Sequence, residues 1–130
     1  MIKIEEKYIL LAFKGESDII GFLDASEKQI ITTYRQRGVG SFIFDLTGFE
    51  EIQESILRFI QKVGKVAERE SGIIVVVAKS LDIKDQVEDL DSEYTIFLPT
   101  VDEAVEAVFM NDLENEFKDG EEESFFGGDE

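Results

Sequence analysis

Asp45 ends the apolar run Ser41-Phe42-Ile43-Phe44-Asp45-Leu46 and is followed by Thr47 and Gly48. A carboxylate just outside the carboxyl end of a strand stands where α/β proteins build their sites, and it can work as an acid or base there. It can equally hold a turn by accepting nearby backbone N–H groups, the commoner role for such a residue. Further along, the segment from Ile52 places its cations in order: at 100° per residue, Arg58, Lys62, Lys65 and Arg69 share a stripe between about 220° and 280°. Such a stripe suits an acidic partner or a phosphate. Cations near a helix C-terminus also complement its dipole and pair with Glu54 and Glu68, which makes a solvated face the plainer reading. Ser55 falls at about 300°, between that stripe and the apolar one, so its hydroxyl is expected to be partly exposed. Gly38-Val39-Gly40 lacks both the third spaced glycine of a dinucleotide fingerprint and the Gly-Lys-Ser/Thr ending of a phosphate loop, and reads as a helix stop.

Much other chemistry is excluded by composition. The 130 residues include no cysteine and no histidine, which removes disulfides, thiolates, the commonest general base and the commonest metal ligand. With 30 acids, two neighbouring carboxylates carry little information, and no nucleophile is visibly paired with a base. We expect no enzyme, no cofactor and no metal. Thirty acids against 13 bases give a formal charge of −17, which opposes both a phosphate backbone and an anionic membrane surface. Residues 111–130 hold nine acids and one lysine, net −8, which leaves −9 for the rest. No run is long and apolar enough to span a membrane and no secretory leader is visible, so a cytoplasmic protein is expected.

These residues must be positioned by alternating strands and helices. Tyr8–Phe13, with an edge strand at Ile2–Glu5 before it, Ser41–Leu46, Ile73–Ala78 and Tyr94–Leu98 are short apolar runs suited to strands. Ile73–Ala78 is β-branched without alternation, as a central strand covered on both faces should be. Between them lie helical patterns. In the first, over 19–37, Ile20, Leu23, Ile30, Ile31 and Tyr34 roughly follow the helical period and Gly38 supplies a stop. In the second, Ile52, Ile56, Phe59, Ile60, Val63, Val66 and Ala67 share an arc of about 120°, ending near Ser71-Gly72. Ile83, Val87 and Leu90 line a short third helix. The spacing of Thr100 and Glu103 predicts a capping box that opens a last helix with Ala104, Val105, Val108 and Phe109 on its apolar face. The pattern predicts an α/β fold: a single, mainly parallel sheet of four or five strands packed by about four helices. Residues 1–117 form one domain. The acidic segment 118–130 is expected to be disordered, serving as a solubilising tail or, through Phe125-Phe126, as a docking peptide.

The order of these elements resembles the STAS domains, which include bacterial anti-sigma factor antagonists. Gly15-Glu16-Ser17-Asp18 is similar to that family's Gly-Glu-Leu-Asp turn. Phe42–Phe49 resembles its strand ending in Asp-Leu-Ser/Thr, and Ile96–Ala104 its last strand and Val-Glu-Glu-Ala helix start. The likeness covers roughly residues 5–110. In phosphorylatable members the helix after the Asp-Leu-Ser strand opens with Asp-Ser-Ser-Gly, and a partner kinase, itself the anti-sigma factor, modifies the second serine. Aligned without gaps, Ser55 matches that serine, while Gln53 replaces the aspartate, Glu54 the first serine and Ile56 the glycine.

The resemblance implies a non-catalytic module of bacterial signal transduction and transcription regulation, whose partner is an anti-sigma factor or serine kinase. Docking is expected around the start of the Ile52 helix through Asp45, Thr47, Gln53, Glu54, Ser55, Arg58 and Lys62, with Ser55 the candidate phosphorylation site. The competing expectations are a constitutive scaffold, in which Glu54 supplies a permanent charge, and a small-ligand or lipid-transport-associated domain.

Overall fold

The computed structural model describes the backbone of residues 1–129 and the side chains of residues 1–117. For the segment 118–130 the side chains, Phe125-Phe126 among them, lie outside the described residues, while the backbone to Asp129 continues the last helix. Nine elements follow in order: β1 (Ile2–Ile4), β2 (Ile9–Ala12), α1 (Ile19–Arg37), β3 (Phe42–Asp45), α2 (Glu54–Glu70), β4 (Ile74–Val77), α3 (Leu81–Asp89), β5 (Thr95–Leu98) and α4 (Val101–Asp129). The strands form one sheet in the order β1-β2-β3-β4-β5. β1 runs antiparallel to β2 at the edge, and the other pairs are parallel, with Ile9, Phe42, Ile74 and Thr95 in register across the sheet.

That order decides where the helices lie. From β2 to β5 each strand is added on the same side of the last, so crossovers of one hand place all their helices on one face. Accordingly Ile9, Leu11, Phe42, Phe44, Ile74 and Val76 pack with α1, α2 and α3, whereas Leu10, Ile43, Val75 and Val77 pack with Ala104 and Val108 of α4. Every side chain of β4 is therefore buried, the reason its sequence does not alternate. On the three-helix face Phe13 stacks on Phe44 and meets Phe22 edge-on, at centroid distances of 6.1 and 5.1 Å.

The expected stop at Gly38 and hydroxyl cap at Thr100 are both present. Asp18 caps α1 through its side chain, 3.0 Å from the Gly21 N–H, and Gly38 ends the helix in the left-handed region at φ 64°. Thr100 Oγ1 accepts from the Glu103 N–H at 3.1 Å and donates to the Glu103 carboxylate at 2.9 Å. The Glu103 carboxylate thus takes the Thr100 hydroxyl rather than the Thr100 N–H, and only the Thr100 half of the capping box forms as expected.

Other expectations are corrected. Ile20 and Ile31, read as core residues of α1, are 58% and 43% exposed, while Ser26 and Thr33 are buried beside Leu23 and Ile30. Counted from Ile20, the buried four lie between about 220° and 300° and the two isoleucines at about 0° and 20°, beyond the edge of that arc. Ile52 is buried but precedes α2, which begins at Glu54 after Gln53. Phe109, assigned to the apolar face of α4, is half exposed.

At the end of α2 the left-handed residue is Ser71, at φ 55°, and Gly72 follows it. Gly72 is needed for a different reason: a Cβ there would stand 2.1 Å from the Gly40 carbonyl oxygen, where the two loops entering β3 and β4 touch.

Candidate functional site

The chain leaves β3 through a tightly bonded turn. Asp45 Oδ1 accepts from the Thr47 N–H at 3.0 Å and from the Thr47 hydroxyl at 2.6 Å. The Phe49 N–H returns to the Leu46 carbonyl at 3.0 Å, and Gly48 takes the positive φ of 92° that the turn requires. Asp45 Oδ1 and the Thr47 hydroxyl are thus engaged with each other and with backbone. This is the turn-holding role that the sequence offered as the commoner alternative.

The next segment is held by α3 and its cap. Ser80 Oγ donates to the Glu50 carbonyl at 2.6 Å while accepting from the Ile83 N–H at 3.3 Å, so one hydroxyl caps α3 and ties the loop. Gln86 completes the attachment. Its side-chain amide accepts from the Ile52 N–H at 2.8 Å and donates to the Ile52 carbonyl at 3.2 Å. These contacts fix where α2 starts. Gln53 then occupies the N-cap position, exposed and without a capping side-chain bond.

From that start, Ser55, Arg58, Phe59 and Lys62 of α2 line a groove whose other wall is Ile20, Leu23, Asp24 and Glu27 of α1. Ser55 is half-buried at its mouth. The groove holds about 260 Å³, below the roughly 300–1,000 Å³ of ordinary small-molecule sites.

Its cations are already paired: Arg58 with Glu54 one turn back, and Lys62 with Glu27 across the groove. Both pairs involve well-exposed cations, where an ion pair contributes at most about 1 kcal/mol and exchanges readily for a competing charge. Farther along the seam, Arg69 approaches the Tyr34 hydroxyl of α1 at 3.4 Å, and that hydroxyl donates to Glu70 at 2.8 Å. Lys65 instead lines a crevice with Leu90 and Tyr94 on the other side of α2. The basic stripe is therefore divided: Lys62 and Arg69 meet α1, and Lys65 turns away from it.

Of the residues singled out by sequence, Ser55, Arg58 and Lys62 come together, with Glu54 attached through Arg58. Asp45, Thr47 and Gln53 do not line the groove. Sequence reasoning missed the α1 wall and the Gln86 clamp. The off-arc angles of Ile20 and Ile31 were a readable signal for the wall, whereas nothing in the sequence distinguishes Gln86 from any other polar helix residue. Chemically the groove offers one hydroxyl, exchangeable cations and an exposed isoleucine. Among the described residues no three His, Cys, Asp or Glu side chains gather as a metal site, and no helix is long and apolar enough to cross a membrane.

Neither a protein-family model nor a curated protein matches the chain. Among solved structures it is similar to the NMR structure of the protein TM1081, with a TM-score of 0.62 and 18% sequence identity over 82% of this chain and 86% of that one, a likeness of fold.

Proposed function

We propose that this chain is a non-catalytic regulatory module that docks a protein partner across the α1–α2 groove, in the manner of an anti-sigma factor antagonist in the bacterial cytoplasm. The observation that carries this reading is the meeting of Ser55, Arg58 and Lys62 with the exposed Ile20 on one groove. An apolar anchor ringed by exchangeable charges is a usual composition for a docking surface. The resemblance to STAS domains supports the same place, since Ser55 aligns with their modified serine.

In the switched form a partner serine kinase transfers the γ-phosphoryl group of ATP to Ser55 Oγ, with ADP leaving and the hydroxyl proton lost to solvent. The product carries about −1.5 to −2 charges. Placed in the first turn of α2, it is favoured by the helix dipole and opposed by Glu51 and Glu54. It competes with Glu54 for Arg58 and with Glu27 for Lys62, which loosens the pair bridging the groove.

The test is the intact mass of the protein after incubation with host lysate and ATP, alongside Ser55→Ala, followed by capture of the partner with Arg58→Glu and Lys62→Glu variants. One phosphate that Ser55→Ala abolishes, and capture lost on charge reversal, are expected. No phosphate but the same loss of capture would identify a constitutive scaffold, a reading favoured by Glu54, which already supplies a fixed charge beside Arg58. Capture indifferent to both reversals would remove this surface.

A further inference from the structure

Among the described residues, the largest group of uncovered apolar side chains on one helix lies not at the groove but on α4. Phe109, Met110, Leu113 and Phe117 are between 50% and 70% exposed, on the side of the helix turned away from Ala104 and Val108. Counted from Val101, they lie between about 80° and 180°, whereas Ala104 and Val108 lie at about 300° and 340°. Their spacing is specific. Met110, Leu113 and Phe117 stand at i, i+3 and i+7, the a and d positions of one heptad and the a position of the next, over about 10 Å of helix. In that frame Asn111 and Asn115 occupy b and f, which should point away from a seam. Both instead turn inward and donate to the Ser71 carbonyl, at 2.9 and 2.8 Å. α4 is thus fixed to the domain by its b and f residues with its a and d residues outward.

The flanks choose the occupant. Glu114 is at e and Glu116 at g, and residues 101–117 contain six acids and no lysine or arginine. Charges at e and g decide which helix can lie alongside. A second copy is opposed in either direction: a parallel pair sets g against e, an antiparallel pair e against e and g against g, and every such meeting here is between glutamates. An anionic lipid surface is repelled by the same acids.

We propose that the 109–117 face of α4 is a second docking surface, separate from the α1–α2 groove, and that it takes an amphipathic helix of a partner protein with apolar a and d residues and lysine or arginine at e and g. Met110 suits such a role, because its flexible thioether adapts to differing apolar partners. In this sequence the next d and a positions, Gly120 and Ser124, are not large apolar residues, so the seam is short and its selectivity rests on the flanking charges.

The probe is a synthetic amphipathic peptide of about three heptads with leucine at a and d and lysine at e and g, its control the same peptide with glutamate at e and g. Binding to the full-length protein is read by fluorescence anisotropy. The lysine peptide is expected to bind, the glutamate peptide not. Leu113→Ser and Phe117→Ser, which replace exposed residues and leave the charge unchanged, each should weaken binding at least about tenfold. Ile96→Ser on β5 and Ser55→Ala should leave it unaltered. Binding insensitive to Leu113→Ser would reduce the interaction to bulk charge and overturn the proposal. So would a concentration-dependent dimer, seen by sedimentation, that Leu113→Ser dissolves. Binding that emerges only when Phe125 and Phe126 are changed to serine would also overturn it, by making the chain's own C-terminal segment the occupant.

Discussion

Ser71 and Gly72 are adjacent, yet they respond to substitution in opposite directions. Ser71 holds a φ of 55°, which a Cβ disfavours and a glycine does not, and its side chain has no role in the bonds that close α2. Those come from the backbone N–H groups of Ser71 and Gly72 to carbonyls of the last turn. Ser71→Gly should therefore stabilise the protein by about 0.5–1 kcal/mol, after allowing for the greater freedom of the unfolded glycine. Gly72→Ala should destabilise it by about 2–3 kcal/mol, because its Cβ meets a backbone oxygen that has no rotamer to move into. Urea melts of the two variants decide the matter, and a loss at Ser71→Gly would show that the left-handed backbone is not what limits that site. The sequence revealed that the helix stops here but not which residue turns, since glycine is the usual left-handed residue and its need for space depends on a loop more than thirty positions away. Ser55 was legible for the opposite reason. Its exposure follows from its place on one helix, a local property, and so does the turn formed by Asp45 and Thr47.

At the level of elements, the reading was most secure where periodicity and burial coincide. Residues 56, 59, 60, 63 and 67 of α2 are all buried as predicted, and β4 is buried on both faces. α1 was less legible, because Ser26 and Thr33 take core positions that their polarity conceals, and apolar Ile20 and Ile31 sit outside the arc. The groove's α1 wall was missed with them. What positions the other wall is a contact between elements far apart in sequence: Gln86 of α3 satisfies both backbone groups of Ile52, two residues before α2 begins. Gln86→Ala leaves those groups without their partner, a loss of about 1–3 kcal/mol. It should also free the α2 entry, so the measurement that separates the two effects is amide hydrogen exchange. Protection at Ile52 should fall far more than protection in β3 or β4, and an unchanged Ile52 amide would mean that the loop is held by Ser80 and packing alone.

For the molecule as a whole, charge is the dominant unbalanced term. Thirteen cations cannot neutralise 30 acids, and the four ion pairs among the described residues are exposed on at least one side. Salt screens attraction within those pairs and repulsion among the remaining acids alike. The repulsive set is larger and acts over longer distances, where a Debye length of about 10 Å at 0.1 M removes most of it. The melting temperature should therefore rise by several degrees as NaCl is raised from about 0.01 to about 0.3 M, a gain on the order of 1–2 kcal/mol for a chain of this size. The excess is concentrated locally as well as globally. The last turn of α3 has no basic residue, and Glu88 and Asp89 lie there close to Asp91 and Glu93, at the helix end where the dipole already favours a cation. Glu88 is exposed, so Glu88→Lys costs no packing, relieves repulsion and complements the dipole. The variant should melt above the parent protein at low salt, and the gap should narrow as salt is added, since screening removes from the parent what the substitution has already removed. A melting temperature that falls with NaCl in the parent protein would mean that its few ion pairs outweigh the repulsion of its many acids.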